Sequence, residues 1–144
     1  RKVNNNKNEN KPSKYNEIEI KKMIKIKSEI KKNIKEEKFK VLDARSKNRF
    51  LGIDPEPRPG IRGGSIEGTT CLPLYEIINK QNNTFLDKQH LKEKFNKIGI
   101  KSNEIVMSCG SSVSASTLAL AYSLINDEYI PKIYIGSWTE YGKK

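Results

Sequence analysis

One cysteine-bearing segment, residues 105–115, constrains this chain more than any other. An apolar run over 105–107 leads through Ser108 to Cys109, a Gly/Ser loop follows, and an apolar-rich segment begins at Ser116. This pattern predicts a strand, a tight turn and a helix, with the thiol at the bend. Backbone N–H groups and the positive end of a helix dipole stabilise a thiolate there. Because the thiolate is the nucleophilic form, Cys109 is a candidate catalytic nucleophile.

Hydrophobic patterns along the rest of the chain predict strands and helices in alternation. Strands are predicted over 22–27, 39–42, 104–108 and 132–135, and helices over 29–37, 74–78, 88–98 and 112–126, with Ser28 and Asp87 as N-caps. This order predicts an α/β domain in which helices flank a mainly parallel central sheet. Sites in such sheets lie at the carboxyl ends of strands, where Cys109 follows one strand and Asp43 and Arg45 follow another.

The positive charge of the chain is concentrated towards its N-terminus. The 144 residues carry a net charge of +11, and residues 1–40 hold 14 Lys or Arg against six Asp or Glu. Because Tyr15 is the one aromatic residue in positions 1–38, a lysine-rich solvated face is favoured over nucleic-acid binding. Residues 1–16, rich in Asn and Lys, are predicted to form a linker or disordered tail, and residues 17–144 a single domain.

Cysteine and histidine content limits the chemistry further. The two cysteines, Cys71 and Cys109, and the single His90 are too few and too widely spaced for a disulfide framework or a zinc site. We therefore expect no metal and no cofactor. No apolar run is long enough to span a bilayer and no signal-peptide pattern opens the chain. The expectation is a reducing compartment, the cytoplasm or the mitochondrion, with no membrane partner, and the Arg1 start suggests a piece excised from a longer chain.

Arginines gather near the predicted cysteine site. Arg45 and Arg49 follow the strand that leads to Asp43, and Arg58 lies in the Gly- and Pro-rich loop over 52–64. A loop of this length inside a compact domain is usually functional. Guanidinium groups stay charged and bind carboxylates in bidentate fashion. A thiolate flanked by arginines therefore favours a small anionic substrate.

Several separated motifs resemble those of the rhodanese superfamily, in the same order along the chain. They are Asp43-Ala44-Arg45, Arg49-Phe50, Pro55-Glu56-Pro57-Arg58-Pro59-Gly60, Gly64-Ser65-Ile66-Glu67-Gly68, Cys109-Gly110-Ser111-Ser112-Val113-Ser114-Ala115 and the closing Gly136-Ser137-Trp138-Thr139-Glu140-Tyr141-Gly142. The resemblance covers roughly residues 22–142. It is strongest to the catalytic C-terminal domain of the 3-mercaptopyruvate sulfurtransferases, which implies that residues 17–144 form a rhodanese-like catalytic domain.

The resemblance implies a sulfurtransferase. Cys109 would accept sulfane sulfur from 3-mercaptopyruvate or thiosulfate as a persulfide and pass it to cyanide or to a thiol, either a small thiol or a thioredoxin-like protein. Arg49 and Arg58 match the family's two arginines for the substrate carboxylate. Donor contacts are also implied for the loop residues after the cysteine, namely Gly110, Ser112, Val113 and Ser114. Family members often have two rhodanese domains, so a second one is expected N-terminal to this one in the full-length protein.

Two neighbours of these residues have alternative roles. Ser111 could donate a hydrogen bond to the substrate or help to move a proton, or it could be an ordinary loop serine. Arg45 is expected to form a structural ion pair with Asp43 or Glu56 rather than to bind substrate.

The residues directly after the cysteine imply the donor preference. Thiosulfate-preferring members of the family tend to carry bulky basic residues there, whereas mercaptopyruvate-preferring members carry Gly-Ser or Gly-Thr, as this chain does at Gly110-Ser111. Ser112 departs from the family's usual Gly, a residue that permits positive φ or a close approach of the backbone.

Other functions compete with turnover of a sulfur donor. One is a catalytically inert rhodanese-like module that binds or regulates, and another is a persulfide carrier in tRNA or protein thiolation. A cysteine phosphatase is disfavoured because Ala115 stands where that class needs a phosphate-binding arginine.

Overall fold

The computed structural model describes residues 13–14, 21–100 and 104–144. Its strands are β1 (Ile24–Lys25), β2 (Lys40–Asp43), β3 (Thr70–Cys71), β4 (Ile105–Ser108) and β5 (Ile133–Tyr134). Its helices are α1 (Lys27–Glu36), α2 (Lys47–Leu51), α3 (Lys88–Lys97), α4 (Val113–Ser123) and α5 (Ser137–Tyr141), with 3₁₀ turns at Lys21–Met23 and Leu74–Ile77.

The five strands form one sheet in the order β1-β5-β4-β2-β3, and every strand pairing in it is parallel. β4 lies at the centre, with Asp43 of β2 in register with Ser108 of β4. All four residues of β4 are buried, as expected for a central strand covered by helices on both faces. The α/β prediction with a mainly parallel sheet is confirmed.

Alternate residues of the central strands point into two separate cores. Leu42 and Met107 pack with α3 and α4 on one face of the sheet. Val41 and Val106 pack with the α1 and α5 side on the other face. Burial on both faces explains why these strands read as short continuous apolar runs rather than as an apolar–polar alternation.

Helix starts agree with the sequence in one case and differ in another. Asp87 caps α3 as predicted, because its carboxylate accepts the N–H of His90 at 3.0 Å. The prediction of Ser28 as the N-cap of α1 is wrong. That helix begins at Lys27, two residues earlier than predicted, because the Glu29 carboxylate accepts the N–H of Ile26 at 3.0 Å and makes Ile26 the N-cap.

Four elements have no counterpart among the predicted strands and helices: the two-residue strand β3, the short helices α2 and α5, and the 3₁₀ turn that precedes β1. The predicted edge strand over 22–27 is present only as Ile24–Lys25, which does lie at the sheet edge. The predicted tail over 1–16 and the start of the predicted domain at 17–20 lie outside the described residues, apart from residues 13 and 14. Within the described parts, no helix is both long and apolar enough to cross a bilayer.

Parallel pairing brings three chemically important segments to one edge of the sheet. The carboxyl end of β4 leads to Cys109, that of β2 leads to Arg45, and that of β5 leads to Ser137. Because the three strands are adjacent, their outgoing loops meet above the same edge. The fold thereby assembles the candidate site.

Candidate active site

Cys109 lies at the turn between β4 and α4, as the sequence predicts. The residue is 3% exposed. Its N–H donates to the Ser137 hydroxyl at 3.2 Å, and its carbonyl accepts the N–H of Trp138 at 2.9 Å. Both backbone groups of the cysteine are therefore tied to the start of α5, which fixes where the sulfur points.

Ser137, the first residue of α5, holds the cysteine loop through hydrogen bonds to its hydroxyl group. It is fully buried and has a φ of 49°. Its hydroxyl oxygen accepts the N–H groups of Cys109 and Ser112, each at 3.2 Å, and donates to the carbonyl of Tyr134 at 2.9 Å. One hydroxyl thus satisfies three backbone groups, which explains why a left-handed backbone is tolerated there.

Ser112 adopts the backbone conformation for which glycine is usually chosen. Its φ is 65° and its ψ is −16°, so it is a left-handed residue at the N-cap of α4. The Ser112 hydroxyl donates to the Ser111 carbonyl at 2.7 Å. Both its N–H and its hydroxyl bond within the fold, so its contribution to the site is the shape of the loop.

Two arginines approach the cysteine loop from different elements. A Cβ placed on Gly110 would lie 3.3 Å from Nη2 of Arg49 and 3.8 Å from Nη1 of Arg58. Arg58 donates to the hydroxyls of Ser111 at 3.2 Å and Thr139 at 3.0 Å. Because Gly110 has no side chain, the guanidinium groups of Arg49 and Arg58 can both lie close to the loop that follows the cysteine.

Thr139 links Arg58 to that loop. Its hydroxyl donates to the Gly110 carbonyl at 2.6 Å and accepts from Arg58. Its N–H donates to the same carbonyl at 3.0 Å. The position of Arg58 is therefore coupled to the backbone of the cysteine loop through a single side chain.

Arg45 is the buried centre of a charged cluster. Its guanidinium contacts Asp43 at 2.7 Å and Glu56 at 2.7 Å, and it also donates to the Gly64 carbonyl at 2.9 Å. Burial acts to lower the pKa of Arg45, but these two carboxylates outweigh it and raise that pKa. The sequence predicts an ion pair of Arg45 with Asp43 or Glu56, and the structure contains both pairs. The Arg45 guanidinium also lies 4.7 Å from the ring centroid of Trp138.

The site opens into a pocket of about 420 Å³ at the carboxyl edge of the sheet. Eight of its lining residues carry the expected chemistry or belong to the cysteine loop: Arg45, Arg49, Arg58, Cys109, Gly110, Ser111, Val113 and Ser114. A volume of this size suits a small molecule. Among the residues that the structure describes, no group of three or more His, Cys, Asp or Glu side chains is placed to hold a metal.

Cys71 lies on β3 and is only partly buried, although its sequence setting predicts a core position. Its sulfur lies 3.6 Å from the carbonyl of Arg45. Burial and then the nearby negative charge of Asp43 raise the pKa of the Cys71 thiol to about 11. Such a thiol stays protonated at neutral pH and is a poor nucleophile.

Three residues organise the site: Glu56, Ser137 and Thr139. Sequence reasoning named Glu56 only as a partner for Arg45 and assigned no role to Ser137 or Thr139. Glu56 joins Arg45 to Arg49, with contacts of 2.7 and 2.6 Å. Ser137 and Thr139 flank the single tryptophan, so the Gly136–Gly142 segment was the available signal. The role of this segment depends on its contacts with the cysteine loop, and these contacts cannot be deduced from the spacing of residues in the sequence.

A family model and individual relatives agree on the family to which this chain is similar. The family model described as "Rhodanese-like domain" matches residues 27–144. The mitochondrial thiosulfate/3-mercaptopyruvate sulfurtransferase 1 of Arabidopsis thaliana is 40% identical over 114 residues, which is 78% of this chain. The 3-mercaptopyruvate sulfurtransferase of Homo sapiens is 36% identical over 121 residues, or 82% of this chain.

Solved structures agree with these sequence relatives. Tum1 from Saccharomyces cerevisiae matches with a TM-score of 0.72 at 30% identity, covering 83% of this chain and 43% of that protein. SseA from Escherichia coli, whose structure is titled as a 3-mercaptopyruvate sulfotransferase, matches with a TM-score of 0.68 at 25% identity, covering 87% and 45%. The chain spans 30% and 39% of the Arabidopsis and human relatives.

The left-handed backbone of Ser112 gives a stability test. We expect Ser112→Gly to raise the free energy of unfolding by about 1 kcal/mol, because glycine adopts positive φ without the steric cost borne by serine. The midpoint of thermal unfolding should rise by about 3 °C. Ser114→Gly, two residues further into α4, is the matched control and should destabilise by about 0.5 kcal/mol. Equal destabilisation by both variants would contradict this assignment of strain.

The raised pKa of Cys71 gives a reactivity test in the Cys109→Ser variant, whose one thiol is Cys71. Alkylation by iodoacetamide needs the thiolate, so at about pH 8 we expect a rate roughly 100-fold below that of a thiol with a pKa near 9. The rate should climb as the pH approaches about 11. Intact-mass time courses at several pH values measure it, and the same protein unfolded in urea should react at the ordinary rate. Rapid alkylation of the folded variant at neutral pH would refute the assignment.

Proposed function

Because this chain belongs to the rhodanese-like domain family, we propose that it is a sulfurtransferase domain that carries sulfur on Cys109. The observation that carries the proposal is the convergence of Cys109, Arg49 and Arg58 on one small pocket. A nucleophilic thiol next to permanent cations suits a donor that is a small anion. The sulfurtransferase names of the relatives support the same reaction class.

The proposed reaction has two transfers. In the first, the Cys109 thiolate attacks the sulfur of 3-mercaptopyruvate, the carbon–sulfur bond breaks, and the carbon keeps the electron pair as pyruvate enolate. Protonation of the enolate gives pyruvate and leaves a persulfide on Cys109. In the second, the thiolate of an acceptor attacks the outer sulfur, the sulfur–sulfur bond breaks, and the Cys109 thiolate returns. No net redox change of the protein accompanies the cycle.

The pocket residues divide the work of donor binding and charge stabilisation. Arg49 and Arg58 bind the donor carboxylate, and backbone N–H groups of Gly110, Val113 and Ser114 stabilise charge on sulfur. Ser111 accepts a hydrogen bond from Arg58 at 3.2 Å, which leaves its own proton for the donor's carbonyl oxygen as the enolate forms. Ser112 contributes by holding the loop in its left-handed turn.

The preference between sulfur donors in this proposal follows from the lack of a cationic side chain at Gly110. Gly110 adds no cation beside the sulfur, so a dianion such as thiosulfate gains no neutralising charge there. A monocarboxylate can still pair with Arg58, whose two contacts are with the neutral hydroxyls of Ser111 and Thr139. We therefore propose 3-mercaptopyruvate as the preferred donor. A thiol acceptor and a second rhodanese domain in the full-length protein belong to the same proposal, since this chain spans only part of its relatives.

Sulfur loading separates this function from the alternatives. After incubation with 3-mercaptopyruvate, intact-mass spectrometry should show one added sulfur atom on the wild type and on Cys71→Ser, and none on Cys109→Ser. The reason is that the Cys71 thiol is protonated at neutral pH, whereas Cys109 faces the arginines. Loading should release an equivalent amount of pyruvate, and a thiol added afterwards should remove the added sulfur.

Other outcomes of that experiment point elsewhere. No added sulfur on a Cys109 that iodoacetamide still alkylates would support an inert binding module. Loading without release to small thiols would support a dedicated persulfide carrier. Loading on Cys71 alone would overturn the site.

Donor preference is tested by steady-state kinetics with cyanide as the common acceptor. We expect kcat/KM for 3-mercaptopyruvate to exceed that for thiosulfate by at least tenfold, or about 1.4 kcal/mol of transition-state stabilisation. The physical reason is the single uncompensated cation in the pocket. Equal or faster turnover of thiosulfate would refute the preference while leaving sulfur transfer intact.

A further inference from the structure

The charges around the pocket are not all available to a ligand. Arg45, Arg49 and Arg58 contribute three guanidinium groups to its lining. Asp43 and Glu56 contribute two carboxylates that contact these arginines. Together these five side chains carry one net positive charge.

Glu56 is the member of the cluster that sets this balance. Its side chain is 4% exposed, and its two oxygens contact different arginines, Arg45 at 2.7 Å and Arg49 at 2.6 Å. Arg45 is already paired with Asp43 through Nε and Nη2. The charge of Glu56 therefore serves mainly to offset that of Arg49.

The contact atom on Arg49 is also the atom that faces the cysteine loop. Nη2 of Arg49 binds Glu56 and is the atom nearest to the empty side-chain position of Gly110, at 3.3 Å. Nε of Arg49 is buried without an acceptor among the described residues. Arg49 thus keeps hydrogen-bonding capacity for a ligand while its charge is already compensated. Glu56 is buried and contacts the guanidinium that faces the cysteine loop, so salt screens its charge only weakly.

We propose that Glu56 is a specificity-determining residue that limits the pocket to donors with one negative charge. By compensating Arg49 it leaves Arg58 as the one uncompensated cation, so a monoanion is matched and a dianion meets the additional repulsion of Glu56. Naming 3-mercaptopyruvate and thiosulfate as the two donors rests on the proposed function. The selectivity between singly and doubly charged anions does not, because it concerns binding alone.

Binding of two unreactive anions tests the inference directly. Isothermal titration calorimetry at fixed ionic strength and neutral pH would measure the Kd of pyruvate, a monoanion, and of sulfate, a dianion. Glu56→Gln removes one negative charge with little change in shape. We expect it to lower the ratio of the sulfate Kd to the pyruvate Kd by at least fivefold, which corresponds to about 1 kcal/mol.

Three further variants separate local charge from other causes. Glu56→Asp keeps the charge and should keep the wild-type ratio to within about twofold. Glu93→Gln makes the same change in net charge on the exposed face of α3 and should also keep that ratio. Arg49→Gln removes a positive charge and should raise the ratio, which keeps the inference testable if Glu56→Gln does not fold.

The outcomes are distinct. An unchanged ratio in Glu56→Gln, an equal shift in Glu93→Gln, a lower ratio in Arg49→Gln, or a wild type that binds neither anion would each overturn the inference. Turnover with thiosulfate and 3-mercaptopyruvate should shift in the same sense as binding. A shifted binding ratio in a protein that transfers no sulfur would keep the charge assignment and refute the proposed function.

Discussion

The guanidinium of Arg45 joins three segments that surround the pocket. Its side chain is 1% exposed and contacts the end of β2 through Asp43, the 52–64 loop through Glu56 and Gly64, and α5 through the face of Trp138. Removing one partner of a buried charge pair typically costs about 3–5 kcal/mol, because the other charge is left without compensation. The end of β2, the 52–64 loop and α5 are thus held together through one buried side chain.

Rigidity of this kind matters for a site that must stabilise charge on sulfur. Groups held in place before the ligand arrives need no reorganisation when charge develops, which is the main source of electrostatic catalysis. Glu56 aligns Arg49, and Thr139 aligns Arg58 with the carbonyl of Gly110. Each arginine that faces the cysteine loop is thereby held by a side chain, Glu56 or Thr139, that lies outside the pocket lining.

Much of the fold could be predicted from the sequence because the main elements have long or repeated apolar patterns. β2, β4, α3 and α4 lie within a few residues of their predicted bounds, and Cys109 occupies the predicted bend. β3 has two residues, which is too short for any periodicity. The start of α1 depends on a single hydrogen bond from the backbone of Ile26 to Glu29, which competes with the preference of Ser28 for an N-cap.

The sequence predicts the kinds of chemical group in the site but not the hydrogen bonds and ion pairs that hold them. The types of Cys109, Arg49 and Arg58 and their places at strand ends indicated a nucleophile with an anion-binding environment. The bonds of Ser137 to Cys109 and Ser112 join residues 28 and 25 positions apart, so they depend on how the loops after β4 and β5 meet once the sheet has formed. The ion pair between Glu56 and Arg49 spans seven positions, but it depends on the path of an irregular loop that no helix or strand periodicity specifies.

The bonds between the 52–64 loop and the last residues of the chain have a consequence for folding order. Trp138 reaches the carbonyl of Arg62 across 76 positions, and Arg58 reaches Thr139 across 81. Contacts between such distant positions form late, because the entropy of closing a long loop must first be offset by the rest of the fold. On a ribosome, Cys109 emerges before the α5 residues that bond its backbone. The residues of the core against α3 and α4 lie outside α5, so this core can assemble while the cysteine loop is still unsupported, and the site is completed only when α5 docks.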